Sequence, residues 1–388
     1  MAGKRALRSE DLLALRVITD ARISPDGRSV AYVVKRADLE ANGYTSAIWL
    51  AATDGGETRQ LTAGTGRDSA PRWSPDGQQI AFVSDRGGSA QLYLLPLAGG
   101  EPRQLTSLEF GVSSPAWSPD GGRLAVVSAA GSNTGAVVSE LPGGTIRHIA
   151  RQRYRFDVVG YADDRFQHVW VVPVAGGEPW QLTRGTCNDA TPAWSPDGER
   201  IAFVSNREDE ADLSFRSQLY VIPVAAGEQG ADDGAVRLST RTKSAAVPTW
   251  SPSGERIAYI GVREGAPAGA NTGIYVVAAE GGGEIACATA GWDRSRARRT
   301  SAIPGRRRRC RRRSSGRRMA RRCASANDHG RVNLFQTALA GRRRWWSAGS
   351  ARSPLFGAAG GSRLAYVAGD MSRAISMPAT ALAAGSGG

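Results

Sequence analysis

The residues best suited to hold a charged ligand fall in one stretch of the chain. Arg151, Arg153 and Arg155 alternate with Gln152, Tyr154 and Phe156, and Asp163, Asp164 and Arg165 follow shortly after. A guanidinium offers a planar fork of donors that matches a carboxylate, and an aspartate matches an ammonium, so this set suits the two ends of a peptide. The same residues serve equally well as surface ion pairs on a long loop, where they contribute little. Hydrolytic chemistry has no counterpart in the 388 residues, since a nucleophilic serine on a Gly-x-Ser-x-Gly turn occurs nowhere in them. His148, His168 and His329 belong to no arrangement in which a carboxylate orients an imidazole beside a serine, and they read as structural or loop residues. Cys187, Cys287, Cys310 and Cys323 show no C-x-x-C pairing, so neither a disulfide framework nor a metal centre is predicted, and no cofactor is called for. Lys4, Lys35 and Lys243 are the only lysines, and none lies in a Walker phosphate loop.

The elements that must position these residues are written in a repeat. Ser24-Pro25-Asp26-Gly27 recurs as Ser74-Pro75-Asp76-Gly77, Ser118-Pro119-Asp120-Gly121, Ser195-Pro196-Asp197-Gly198 and, altered, Ser251-Pro252-Ser253-Gly254. Each phrase is tight-turn chemistry: proline presets φ, aspartate bonds its own backbone, and glycine accepts the positive φ that closes the turn. Around the second copy, Ile80–Ser84 and Gln91–Leu95 read as strands, Arg103–Thr106 as a third, and the segment before Trp117 as the fourth. Four short antiparallel strands at a period of about 40–50 residues make one propeller blade. Trp73, Trp117, Trp194 and Trp250 precede the turns and are predicted to pack between neighbouring blades. One interval is longer than the rest, and its excess, near 129–168, contains the arginine and aspartate set. A final echo at Gly360–Val367 lies two blade lengths beyond Ser251, so a signature is missing near residue 304 or 305. The fold predicted is all-β, a seven-bladed β-propeller with WD40-like or TolB-like blades, its last two blades degraded.

Where the signature is missing, residues 294–322 hold fifteen arginines and no Asp, Glu or Lys, which accounts for a net charge of +14. Three readings stand: an arginine-rich arm for nucleic acid, a solvated insertion, or a shifted reading frame. The third agrees best with the spacing. Pro304-Gly305-Arg306-Arg307 can be encoded CCT GGT CGC CGG, which from its third base reads TGG TCG CCG, or Trp-Ser-Pro. On that basis no nucleic-acid partner is expected. The sixth blade is expected not to form from arginine-led strands, and the open strand edges left behind would favour aggregation.

With the blades in view, Ser9-Glu10-Asp11-Leu12-Leu13-Ala14-Leu15-Arg16, Tyr154-Arg155-Phe156-Asp157, Gly160-Tyr161-Ala162-Asp163-Asp164-Arg165 and the repeated Gly-Gly-Glu…Gln-Leu-Thr of 176–183 carry a resemblance. Together they resemble the N-terminal propeller of the prolyl-oligopeptidase family of serine peptidases, in its acylaminoacyl-peptidase-like branch. Resemblance implies a propeller that caps a separate α/β-hydrolase domain with a Ser-Asp-His triad and restricts it to short peptides. It also implies that Arg151, Arg153, Arg155, Asp163, Asp164 and Arg165 face the cavity between the two. The hydrolase domain is absent from this sequence, so no catalytic residue is carried over. The alternative is a free-standing TolB-like propeller that scaffolds protein partners.

The expected organisation is a helical segment at 1–20, blades one to five at 21–290, a displaced or disordered segment at 291–326, and remnants of blades six and seven at 327–388. Leu12, Leu13, Leu15 and Ile18 behind Ser9 predict a short capped helix packed on the domain. No apolar leader follows Met1 and no stretch approaches a membrane span, so a cytoplasmic protein without a membrane partner is expected.

Overall fold

In the computed structural model, residues 8–131, 139–141, 144–146, 149, 152–157, 160–161, 165–209, 211–225, 234–239, 242–267, 270–282 and 286–288 are described, together with the backbone of six later strands. The chain opens on one helical turn, α1 (Asp11–Ala14), with no side-chain cap. Leu12 and Leu13 stay exposed, at 62% and 43%. The predicted capped helix packed on the domain is therefore corrected: a single turn cannot bury an apolar face, and from Arg16 the run Val17-Ile18-Thr19 goes into a strand, as β-branched residues favour.

Every sheet follows the same plan. The first contains β1 (Arg16–Ile23), β2 (Ser29–Asp38), β3 (Gly43–Ala52) and β4 (Thr58–Gln60). The second contains β5 (Ser69–Trp73), β6 (Gln79–Ser84), β7 (Gln91–Pro96) and β8 (Arg103–Gln104). In the third, β9 (Ser113–Trp117) and β10 (Arg123–Ala130) are separated from β15 (Phe166–Pro173) and β16 (Trp180–Gln181) by two hairpins. These hairpins are β11 (Ser139–Leu141) with β12 (Gly144–Ile146), and β13 (Arg155–Phe156) with β14 (Gly160–Tyr161). The fourth sheet holds β17 (Asp189–Trp194), β18 (Arg200–Ser205), β19 (Gln218–Pro223) and β20 (Val236–Arg237). The fifth holds β21 (Thr242–Trp250), β22 (Arg256–Arg263), β23 (Gly273–Ala278) and β24 (Ala286–Cys287).

Beyond these, β25 (Arg296–Ala302), β26 (Arg321–Asp328), β27 (Arg331–Ala338) and β28 (Arg343–Trp346) form a further four-stranded sheet. The expectation that arginine-led strands prevent a sixth sheet is corrected. A ladder is made by backbone groups, which arginine supplies like any residue, and Val332-Asn333-Leu334-Phe335 gives β27 strand-favouring text. A last pair, β29 (Leu355–Gly360) with β30 (Arg363–Val367), completes the described strands. These make six four-stranded sheets and one two-stranded pair at the chain's end, with none closed on itself.

The serine-led turns bind themselves together. At Ser74 the backbone N–H donates to the Gln79 carbonyl at 2.9 Å, and the Gln79 N–H returns a bond to Ser74 Oγ at 3.0 Å. Asp76 Oδ1 accepts from Ser74 Oγ at 2.5 Å and from the Gln78 N–H at 3.0 Å. Gly77 closes the turn at φ 74°, a conformation that glycine adopts without strain. The bond from serine, then that from the backbone, holds Asp26, Asp76, Asp120 and Asp197 below the usual carboxylate value. In the fifth turn Ser253 replaces the aspartate; its Oγ lies 3.2 Å from Ser251 Oγ and 3.4 Å from the Glu255 nitrogen, a looser arrangement.

Three residues before each Trp, or before Ile23 in the first sheet, the inner strand bulges. Asp20, Ala70, Ser114, Thr191 and Val247 all adopt positive φ, between 45° and 54°. The pairing register shifts at the same places.

The backbone divides into two compact units, Met1–Gln104 with Arg299–Gly388, and Leu105–Arg298. Within the first, Val33 and Ile48 share a core with Phe82, Tyr93 and Leu95 of the next sheet, and Trp73 Nε1 donates to the Arg22 carbonyl at 2.9 Å. Within the second, two successive joints repeat one device. Trp194 Nε1 donates to the Ala116 carbonyl at 3.0 Å, and Trp250 Nε1 to the Ala193 carbonyl at 2.9 Å. Arg123 stands 5.1 Å over the Trp194 ring, and Arg200 stands 5.1 Å over that of Trp250. The predicted packing role of the tryptophans holds at Trp73, Trp194 and Trp250, each through a ring bound to the preceding sheet.

Candidate functional site

The insertion between β10 and β15 is strapped to the connection between β18 and β19. That connection, 206–217, includes the 3₁₀ turn Ala211–Leu213 and is held by Asn206 Nδ2, which donates to the Ala211 carbonyl at 3.2 Å and to Ser214 Oγ at 3.1 Å. The backbone N–H groups of Gln152 and Arg153 both donate to the Asp212 carboxylate. The Arg153 guanidinium donates through Nη2 to the Ser214 carbonyl and lies 4.0 Å from the centre of the Phe215 ring. Phe215 is 90% exposed, and Leu213 two residues before it and Tyr154 next to Arg153 are exposed as well. Arg216 bonds Glu264 at 2.5 Å, and Lys243 donates to the Ala266 carbonyl at 2.8 Å, which ties the next connection to the same end of the sheets.

Of the residues singled out by sequence, Arg153 and Arg155 are placed here, and Arg151, Asp163 and Asp164 lie outside the described residues. Arg155 is exposed in β13, opposite Tyr161. Arg165 stands 4.6 Å over the Phe110 ring. Asp212, Ser214 and Phe215 are partners that the sequence alone did not single out. Their one signal is length: connection 206–217 is longer than its counterpart at 85–90. The arrangement sets the Arg153 guanidinium beside an exposed aromatic ring, a pairing of a cation and an apolar face. Among the described residues it contains no nucleophile beside a base.

A second group of charges is buried nearby. Asp189 is fully buried and accepts from Arg207 Nη2 at 3.1 and 3.0 Å, with His168 Nδ1 3.1 Å from its Oδ2. Arg207 also covers the stacked rings of Phe203 and Tyr220, at 5.2 and 5.6 Å. The second sheet repeats this construction: Arg86 bonds Asp68 at 3.0 Å and covers Phe82 and Tyr93. Recurrence in two sheets marks an element that holds the blade end together, and His168 is one of its buried members. His148 and His329 lie outside the described residues. Beside Asp68, Asp85 is held below the usual carboxylate value: burial opposes this, but the Arg67 N–H and guanidinium outweigh it.

Comparison with known proteins gives these sheets a family setting. Residues 16–155 match the model of the TolB beta propeller domain. An uncharacterized peptidase, YuxL, from Bacillus subtilis is 32% identical over 223 residues, covering 56% of this chain and 34% of that protein. The chain thus spans about a third of that curated relative. Among solved structures, the acylaminoacyl peptidase of Pyrococcus horikoshii superposes with a TM-score of 0.63 at 21% identity, covering 92% of this chain and 49% of that one. The β-propeller domain of the Trilobed protease from Pyrococcus furiosus gives a TM-score of 0.57 at 17% identity, covering 91% and 89%. At these identities the structural matches speak for the fold. No helix among the described residues is long and apolar enough to cross a membrane. The chain therefore has an all-β, propeller-like fold that matches the TolB beta propeller model over residues 16–155, is similar in sequence to a peptidase, and is similar in fold to an acylaminoacyl peptidase and to the propeller domain of a protease.

Proposed function

We propose that this chain is the substrate-gating propeller of a cytoplasmic serine oligopeptidase of the acylaminoacyl-peptidase type, acting beside a hydrolase domain that the present sequence does not contain. Short peptides are the substrate class. Peptide hydrolysis belongs to the intact parent, and the propeller alone is inactive because no nucleophile elbow is written in it. The observation that carries the reading is the strapped insertion, where Arg153 lies over the exposed ring of Phe215 and Arg155 is exposed on the neighbouring β13. A guanidinium fork there suits a peptide carboxylate, and the exposed ring suits an apolar side chain or acyl group.

The test is calorimetric titration of the chain with short peptides ending in a carboxylate or in an amide. The carboxylate form is expected to bind more tightly, and Arg155→Ala to weaken it roughly tenfold while leaving the amide unchanged. Equal affinity for both forms, unaffected by Arg155→Ala, contradicts the proposal. The match of 16–155 to the TolB propeller model favours a second reading, a free-standing scaffold for protein partners. That reading predicts no peptide binding and capture of a folded partner protein.

A further inference from the structure

The first sheet is built longer than a blade requires. Its central strands β2 and β3 are ten residues each, whereas β6 and β7 of the second sheet are six each. The buried run of β2 ends at Val33, so the surplus extends past the core. It sets Arg36 directly opposite Arg16 of β1 on one side and Thr45 of β3 on the other. Direct cross-strand partners point their side chains to one face, and like charges placed so repel each other. Asp38, two residues further along β2, falls on the same face about 7 Å away.

These side chains border an open cavity of about 610 Å³, whose walls include Leu13, Arg16, Arg36, Asp38, Leu39 and Glu40. Small-molecule sites span roughly 300–1,000 Å³. Arg36 Nε donates to Thr45 Oγ1 at 3.1 Å, which steadies the guanidinium and leaves both terminal nitrogens open. Arg16 has no hydrogen-bond, ion-pair or ring partner among the described residues. Neither Asp38 nor Glu40 pairs with a cation there, and Asp38 Oδ1 takes only the Ala41 N–H, at 3.0 Å. Elsewhere in the same unit, neighbouring charges of opposite sign do pair: Arg22 and Arg72 share Asp20 at 2.7 and 2.9 Å, and Arg86 bonds Asp68 at 3.0 Å. Lys35, one residue before Arg36, is engaged as well, with its ammonium 4.0 Å from the centre of the Tyr44 ring. The cavity thus keeps two cations and two anions that do not satisfy one another.

We infer that this cavity binds a small zwitterion, a free amino acid with an aliphatic side chain. Arg16 and Arg36 together take its α-carboxylate, whose charge removes the repulsion between them. Asp38 and Glu40 take its α-ammonium. Leu13 and Leu39, 43% and 73% exposed, offer the apolar surface for the side chain. A plain anion would meet the two carboxylates, and a plain cation the two guanidiniums, so a ligand with both charges fits best. All of these residues belong to the first compact unit, whereas Arg153, Arg155 and Phe215 of the peptide reading belong to the second.

The experiment is calorimetric titration of the full chain with leucine, N-acetylleucine and leucinamide. Leucine is expected to bind at least about tenfold more tightly than either blocked form. Arg36→Ala should weaken leucine and N-acetylleucine by about tenfold and leave leucinamide unchanged, and Arg16→Ala should repeat that pattern. Asp38→Asn should weaken leucine and leucinamide and leave N-acetylleucine unchanged. These positions lie outside the core, so each variant should melt with the parent chain, and having three of them keeps the test decisive if one does not fold. Arg155→Ala should leave leucine binding unchanged while it governs carboxylate-ended peptides, so this site and the peptide reading fail separately. Absence of leucine binding, equal binding of all three compounds, or leucine binding unaffected by Arg36→Ala and Arg16→Ala overturns the inference. Sulfate that binds more tightly than leucine would make this a plain anion site and overturn it too. So would a dimer in sedimentation that Arg36→Ala dissolves, because the occupant would then be a second copy of the chain.

Discussion

Ser253 stands where the other four turns have aspartate, and the difference is measurable. An aspartate accepts both the serine hydroxyl and the backbone N–H two residues on, which a second serine does at longer range. Ser253→Asp is expected to stabilise the chain by about 0.5–1 kcal/mol, and Asp76→Ala to destabilise it by about 1–2 kcal/mol, both readable from denaturant midpoints. The four intact aspartates also set an acid limit. Their folded-state values lie below the ordinary 3.8, so their contribution is fully present above that value and is lost as pH falls through the lowered folded values. Denaturant midpoints between pH 5 and pH 2.5 should hold steady at first and fall below about pH 4. Asp120→Asn should flatten part of that fall. These residues were legible in the sequence because a turn is a local object whose bonds span only six positions. Asp212 was not, because its partners Gln152 and Arg153 are about 60 residues away in the chain.

At the scale of elements, the joint between sheets rests on a polar contact as much as on apolar area. Trp194→Phe keeps most of the ring but removes the donor to the Ala116 carbonyl, and should cost about 1–2 kcal/mol with the fold intact. Truncating the buried charge is harsher. Asp189→Asn leaves Arg207 and His168 without their carboxylate, and a loss of about 3–5 kcal/mol is expected in thermal or denaturant melts. Strands such as Ile80–Ser84 and the packing role of the tryptophans were readable from alternation and repetition. The left-handed residues were not. Ala70, Ser114, Thr191 and Val247 share no side-chain type that asks for positive φ, and proline follows each of them. The bulge is imposed by the tertiary fold against local preference. The helix expected behind Ser9 erred the other way, since its leucines had an apolar pattern but only one turn of chain before β1 began.

For the whole molecule, the period of the repeat gave the architecture, because one blade cannot bury its faces alone and must stack on another. The number seven rests on spacing alone, and the described strands stop at six full sheets and a pair. Residues 294–322 show why composition misleads at this scale: a net charge of +14 describes one segment and not the surface of the blades. The central proposal is that these blades are the propeller part of a serine oligopeptidase and that the sixth repeat has been displaced from its reading frame. Sequencing the gene from codon 290 to well beyond the last codon tests it most directly. The account predicts a frame that restores Trp-Ser-Pro near codon 305 and that continues into a Gly-x-Ser-x-Gly elbow. A sequence that stands as written, with no such elbow downstream, would contradict it.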